Sequence, residues 1–124
     1  MATVVKVVAT GRKIINDRIK GTGTEPNNIK WGRGNTPPVD GDTALETPAA
    51  ESQVAGVSTI ATTTTTDDTY RVVGTLTSAS TQTITEAGLF NNAGAMLLRG
   101  TFDGIPLAGG DAIQFTMEGQ AVAP

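Results

Sequence analysis

Cysteine and histidine are both missing from the 124 residues. Their absence removes the thiol nucleophile, the imidazole base and the commonest transition-metal ligands together. Hydrolytic chemistry would have to run on carboxylates or a Ser/Lys pair, and no disulfide can staple the fold. None is needed, because one domain of this length buries just under roughly 70% of the surface its unfolded chain exposes. Basic residues are few as well: nine Lys and Arg stand against twelve Asp and Glu, a net charge of -3. Neutralising a phosphate backbone takes clustered cations, so no nucleic-acid partner is expected. No apolar run approaches the about 20 residues of a membrane span, so no membrane partner is expected either. The opening Met-Ala-Thr-Val-Val-Lys-Val-Val lacks the charged lead and length of a signal peptide, and synthesis in the cytosol without export is the expectation. Charged residues make up only 17% of the chain. That scarcity points to burial against other subunits, or to threonine standing where other β-proteins place Lys or Glu.

What is present is a β pattern, densest from Thr83 to Gly119. Ile84 to Phe90 and Met96 to Phe102 flank the polar, Gly-ended loop Asn91-Asn92-Ala93-Gly94, a hairpin signal. The strand that follows alternates cleanly, with Ile113, Phe115 and Met117 on one face and Ala112, Gln114, Thr116 and Glu118 on the other. Its apolar face requires a second layer. Upstream, Thr3 to Val8 carries valine on both faces, Val4 and Val8 with one parity and Val5 and Val7 with the other, as in a strand covered on both sides, either inserted between layers or paired with a neighbouring copy, with residues 1–8 as an N-terminal arm. Gly11 to Gly21 spaces Ile14, Ile15 and Ile19 for one short amphipathic helix, stopped by Gly21 and Gly23. Ile29 to Gly32 reads as a short strand in which Trp31, the sole tryptophan, is expected as a core plug.

Asn35 to Pro48 is a long loop, since Thr36-Pro37-Pro38 does not suit a central strand and Asp40-Gly41-Asp42 is turn chemistry. A loop of this length marks a binding or packing surface. Thr43 to Glu46 fits one helical turn or a brief strand. Gln53 to Thr63 alternates only loosely, the five-threonine run Thr62 to Thr66 reads as strand end plus loop, and Asp67-Asp68 turns the chain into the strand Thr69 to Thr77. Residues 119–124 carry no fold signal and are expected as a tail. About seven strands and one helix in a single domain, 1–124, predict a mainly β fold, a β-sandwich or jelly-roll-like body with a short N-terminal helix.

Candidate chemistry is thin. Adjacent Asp67 and Asp68 point to opposite faces if extended and solvate the loop if turned, so they make a poor acid pair. Asp40 and Asp42 lack the further oxygen ligands of a calcium loop, and Gly32-Arg33-Gly34 lacks the strand-loop-helix setting of a phosphate cradle. Glu86 is the odd residue: its parity with Ile84 and Gly88 places a carboxylate on an apolar face. Either a partner such as Arg99, Arg71 or backbone amides compensates it, or a bulge at Gly88 re-aims the strand.

The block Glu86-Ala87-Gly88-Leu89-Phe90, with Met96-Leu97-Leu98, Thr101-Phe102 and Gly110-Asp111-Ala112-Ile113 behind it, resembles small structural proteins of tailed bacteriophages. Asn16 to Pro26, Trp31-Gly32-Arg33-Gly34 and Asp42 to Glu46 follow the same order in that group, so the resemblance covers most of the chain. Ile14-Ile15 and Asn91-Asn92 depart from its pattern. What the resemblance implies is a virion component without enzymatic activity, cofactor or metal: a capsid decoration (cement) protein on the capsid surface, trimeric, with the major capsid protein as partner. A Glu-x-Gly-Leu-Phe block also occurs in tail-fibre and collar proteins, which makes a tail, fibre or receptor-binding part the alternative. The residues expected at partner interfaces are Val4, Val5, Val7 and Val8 in the valine arm and Pro37 and Pro38 in the long loop.

Overall fold

The computed structural model describes residues 3–121. Eight strands and one helix follow in the order β1 (Thr3–Val7), α1 (Ala9–Lys20), β2 (Asn28–Gly32), β3 (Val54–Ala55), β4 (Val57–Ala61), β5 (Thr69–Thr77), β6 (Gln82–Phe90), β7 (Met96–Leu107) and β8 (Ala112–Gln120). They form a larger sheet ordered β1-β7-β6-β2-β3 and a smaller one ordered β4-β5-β8, antiparallel throughout. The fold is mainly β, two antiparallel sheets and a helix, as a sandwich requires.

The predicted hairpin is β6–β7, closed by Asn91. Its backbone N–H donates to the Ala95 carbonyl at 2.9 Å and its side-chain oxygen accepts the Ala95 N–H at 2.9 Å, with Gly94 in the left-handed region at φ 87. The loose alternation of Gln53 to Thr63 has a tertiary cause: the chain changes sheets there. Val54 and Ala55 pair with β2, whereas Val57 to Ala61 pair with β5. Gly56 is the corner, its N–H given to the Asn27 carbonyl, and a Cβ there would stand 2.5 Å from a Val72 methyl.

Between the sheets lie Ile29, Trp31, Val72, Leu76, Ile84, Leu89 and Leu98, with Ile14 of α1 joining them. Trp31 is fully buried, edge-on to Phe115 at 6.4 Å, so it plugs the core as expected. The opposite face of the larger sheet is covered too. The long segment 33–53 folds back over it, placing Leu45 with Val8, Phe90 and Met96 in a second, smaller cluster. This loop is a packing surface, and Thr43 to Glu46 form neither helix nor strand within it.

Several expectations change at the termini. β1 is no free arm but the edge of the larger sheet, in register with β7 from Thr3↔Phe102 to Val7↔Leu98. Nor is it covered on both faces: Val4 and Val5 are half exposed. α1 begins two residues earlier than expected, at Ala9, and ends at Gly21, where the N–H groups of Gly21 and Thr22 return to the carbonyls of Arg18 and Asp17. β8 extends to Gln120, so Gly119 and Gln120 belong to the sheet rather than to a tail. Residues 1–2 and 122–124 of the expected arm and tail lie outside the described residues.

Candidate functional site

Two edges of the sandwich face the same opening. The first is β1, paired only with β7, and the second is β8, paired only with β5. On the opposite margin the sheets are joined through Gly56, and the β5–β6 and β7–β8 connections join them at one end, which leaves the rest of the margin between β1 and β8 without a crossing. Thr3, Val5 and Val7 line it from the larger sheet and Ile113, Phe115 and Met117 from the smaller. Each of the three β8 side chains is only half-buried although it touches the core. A cavity of about 270 Å3 opens there among Val5, Phe102, Ile105, Phe115 and Met117.

Past Leu98, which lines both spaces, the opening widens into a groove of about 540 Å3 between α1 and the ends of β4, β5 and β8. Its apolar walls include Ile15 and Ile19 of α1, 44% and 80% exposed, and Ile60 of β4, 72% exposed. Three isoleucines in twelve helical residues exceed what the core uses, since it takes only Ile14. At the groove wall the Tyr70 hydroxyl donates to the Pro26 carbonyl at 2.9 Å. Burial, and then the neighbouring Glu25 carboxylate, hold this phenol well above its ordinary range, so it remains a neutral donor.

The carboxylates that invited a catalytic reading are occupied in structural bonds. Glu86 is fully buried. One oxygen accepts Arg99 Nε at 2.9 Å and the Glu46 N–H at 2.9 Å; the other accepts the N–H groups of Gly34 and Thr47, each at 2.8 Å. A Cβ at Gly32 or Gly34 would stand 2.6 Å from this carboxylate, which is why the sequence has glycine at both. Arg99, 2% exposed, also reaches Asp42 at 3.1 Å. Of the two explanations expected for Glu86, the partners Arg99 and backbone amides are in place, whereas the bulge expected at Gly88 is not there. The ladder shifts register between Ile84 and Glu86, at Thr85 rather than at Gly88, which turns Glu86 to the outer face, where the long loop buries it. Arg71, the other suggested partner, pairs instead with Glu118 on the surface.

Asp68 accepts the N–H groups of Thr63, Thr64 and Thr65, so the threonine run is wound around one carboxylate. Those amides, that of Thr65 foremost, hold its pKa far below the usual range. Glu51 accepts the Ala79 N–H, the Gln82 amide and the Trp31 indole N–H; these bonds, Ala79's foremost, lower its pKa to about 2. Asp40 and Asp42 turn to different cations, Arg12 and Arg99, rather than toward one metal position.

The six residues expected at partner interfaces separate into two groups. Val8 is fully buried in the smaller cluster and Pro38 is buried under the loop, so both serve the fold's own packing. Val4, Val5 and Pro37 are exposed, and half-buried Val7 lines the groove. Ile15, Ile19, Ile60 and the inner row of β8 were not among the expected contacts; the available signals were the surplus of isoleucine in α1 and the alternating apolar face of β8. Compared with protein-family models, curated proteins and solved structures, the chain matches none.

Proposed function

We propose that this chain is a structural virion protein, a capsid decoration protein that stabilises a phage head by bridging adjacent capsomers. Its partners are the major capsid protein and further copies of itself, in a trimer. The observation that carries the reading is the open margin between β1 and β8: unpaired backbone on two strands, a row of half-buried apolar side chains, and a groove walled by exposed isoleucine. Natural sheets shield such edges with proline, bulges or charge. β1 and β8 contain no proline and one charged residue each, Lys6 and Glu118.

Adhesion of this kind is binding chemistry. Each contact buries apolar area and completes backbone hydrogen bonds, and many copies on one lattice accumulate modest contacts by multivalency. The engagement of Glu86, Glu51 and Asp68 in structural hydrogen bonds fits a protein that holds and does not turn over. The resemblance of the Glu86 to Ile113 blocks to tailed-phage structural proteins supplies the lattice.

The experiment is to mix purified protein with heads that lack it, and to count copies on native particles by densitometry and imaging. Hundreds of copies on the head surface are expected. Few copies, or density confined to the tail, would move the protein to a fibre or receptor-binding role, and no association with heads or tails would overturn the virion reading.

A further inference from the structure

We propose that the open margin is a self-assembly joint, in which β1 of one copy adds to β8 of a second copy, head to tail. The inference rests on reading the chain as a self-adhering shell protein and names the contact by which it adheres. The two edges of this margin, β1 and β8, allow three pairings, and their chemistry separates them. Joining β1 to β1 brings Lys6 toward its counterpart and leaves Met117 and the β8 edge of both copies without a partner. Joining β8 to β8 brings two Glu118 together and leaves the exposed valines of β1. The mixed pairing uses both edges of the margin in one kind of contact and opposes the only charge on one strand to the only charge on the other.

The faces agree with that pairing. Val5 and Val7 look into the margin and Lys6 away from it; Met117 looks into the margin and Glu118 away. An antiparallel register with Lys6 opposite Glu118 of the second copy therefore sets Val7 opposite Met117, apolar beside apolar, and Val5 opposite Gly119, with Phe115 and Ile113 lying past the end of β1 toward the start of α1. Behind the two strands, Lys6 lies within electrostatic reach of Asp40 in its own copy, and Glu118 is bound to Arg71 in its own. Across the joint the charges then alternate: Asp40, Lys6, Glu118, Arg71. Because the two patches differ, the contact is heterologous, and it closes into a ring when the rotation between copies permits.

Sedimentation velocity on the full chain over a dilution series tests this. The wild type is expected to self-associate, with hydrogen exchange in β1 and β8 slowing as copies join. Lys6→Glu and Glu118→Lys should each weaken association about tenfold by placing like charges across the joint, and the double exchange should restore it to within about threefold. Both sites are exposed in the single copy, and a thermal melt of each variant checks that the fold is kept. A wild type that stays monomeric at its highest soluble concentration overturns the proposal. So do single exchanges without effect, which point to one of the like-edge pairings, and a double variant as weak as the singles. A protein that self-associates by this joint and ignores heads refutes the virion reading alone; one that coats heads as a monomer refutes the joint alone.

Discussion

Replacing Glu86 by glutamine should cost this domain a large part of its stability. The side chain keeps its shape, but the charge is lost, and Arg99, 2% exposed, is left with Asp42 at 3.1 Å as its only ion-pair partner among the described residues. Its second terminal nitrogen is buried without a protein acceptor, so the guanidinium has no slack. Removing one member of a buried ion pair costs about 3–5 kcal/mol. The amide adds a further conflict, because its NH2 must stand where an oxygen now accepts either Arg99 Nε and Glu46 N–H or the Gly34 and Thr47 N–H groups. Each donor left unsatisfied adds about 1–3 kcal/mol, reduced where water reaches it. About 4 kcal/mol or more is therefore expected, against a total of about 6–19 kcal/mol for 124 residues. Urea titration followed by Trp31 fluorescence measures the loss, and hydrogen exchange locates it. The amides of Gly34, Glu46 and Thr47 should exchange faster than those of β5 and β8. A variant within about 1 kcal/mol of wild type, or one in which these three amides keep their protection, refutes the account of Glu86 as the post that holds the long loop.

Other perturbations follow from the same structure. Glu51, with a folded pKa of about 2 against an ordinary 4.5, takes up its proton in the unfolded chain first as pH falls. Its contribution is complete above pH 4.5 and disappears as pH drops toward 2, and Glu51→Gln, which weakens the bonds to Ala79, Gln82 and Trp31, should flatten the denaturation profile in that window. Gly11→Ala favours helix by about 1 kcal/mol in propensity, yet the added Cβ would stand 2.0 Å from the Leu97 carbonyl oxygen. A net loss in urea titration is expected, and a gain would mean that α1 does not press on β7. Trp31 is fully buried and is the sole tryptophan, so native emission should be that of a dry indole and shift to the red only with global unfolding. Quenching by a neutral solute in the native state would contradict that burial.

Local signals carried much of the fold. The β6–β7 hairpin was readable because Asn91 to Gly94 satisfies its own turn, and β8 because period-2 alternation survives half-burial. Glu86 stood out by parity alone, and its partner Arg99 was named among three options. Decisions made at a distance were not readable. Nothing in Gln53 to Thr63 says that Gly56 hands the chain from one sheet to the other, since either half could alternate in either sheet. Val8 and Pro38 resemble the exposed Val4 and Pro37 in sequence; only the fold-back of the long loop distinguishes them by burying one of each. The open margin was half visible, as an apolar strand face requiring cover, but the helix with surplus isoleucine gave no sign of lying along the same groove.

The corner at Gly56 ties the two sheets along one side, and the β5–β6 and β7–β8 connections, bonded to each other through Ser78, Gly110 and Asp111, tie them at one end. The Ile113, Phe115 and Met117 row lies half-buried along the remaining margin, so anything that binds there touches both sheets at once. A ligand that binds the folded chain alone stabilises it by mass action. On the proposed joint, each copy's stability would therefore rise with the concentration of its neighbours.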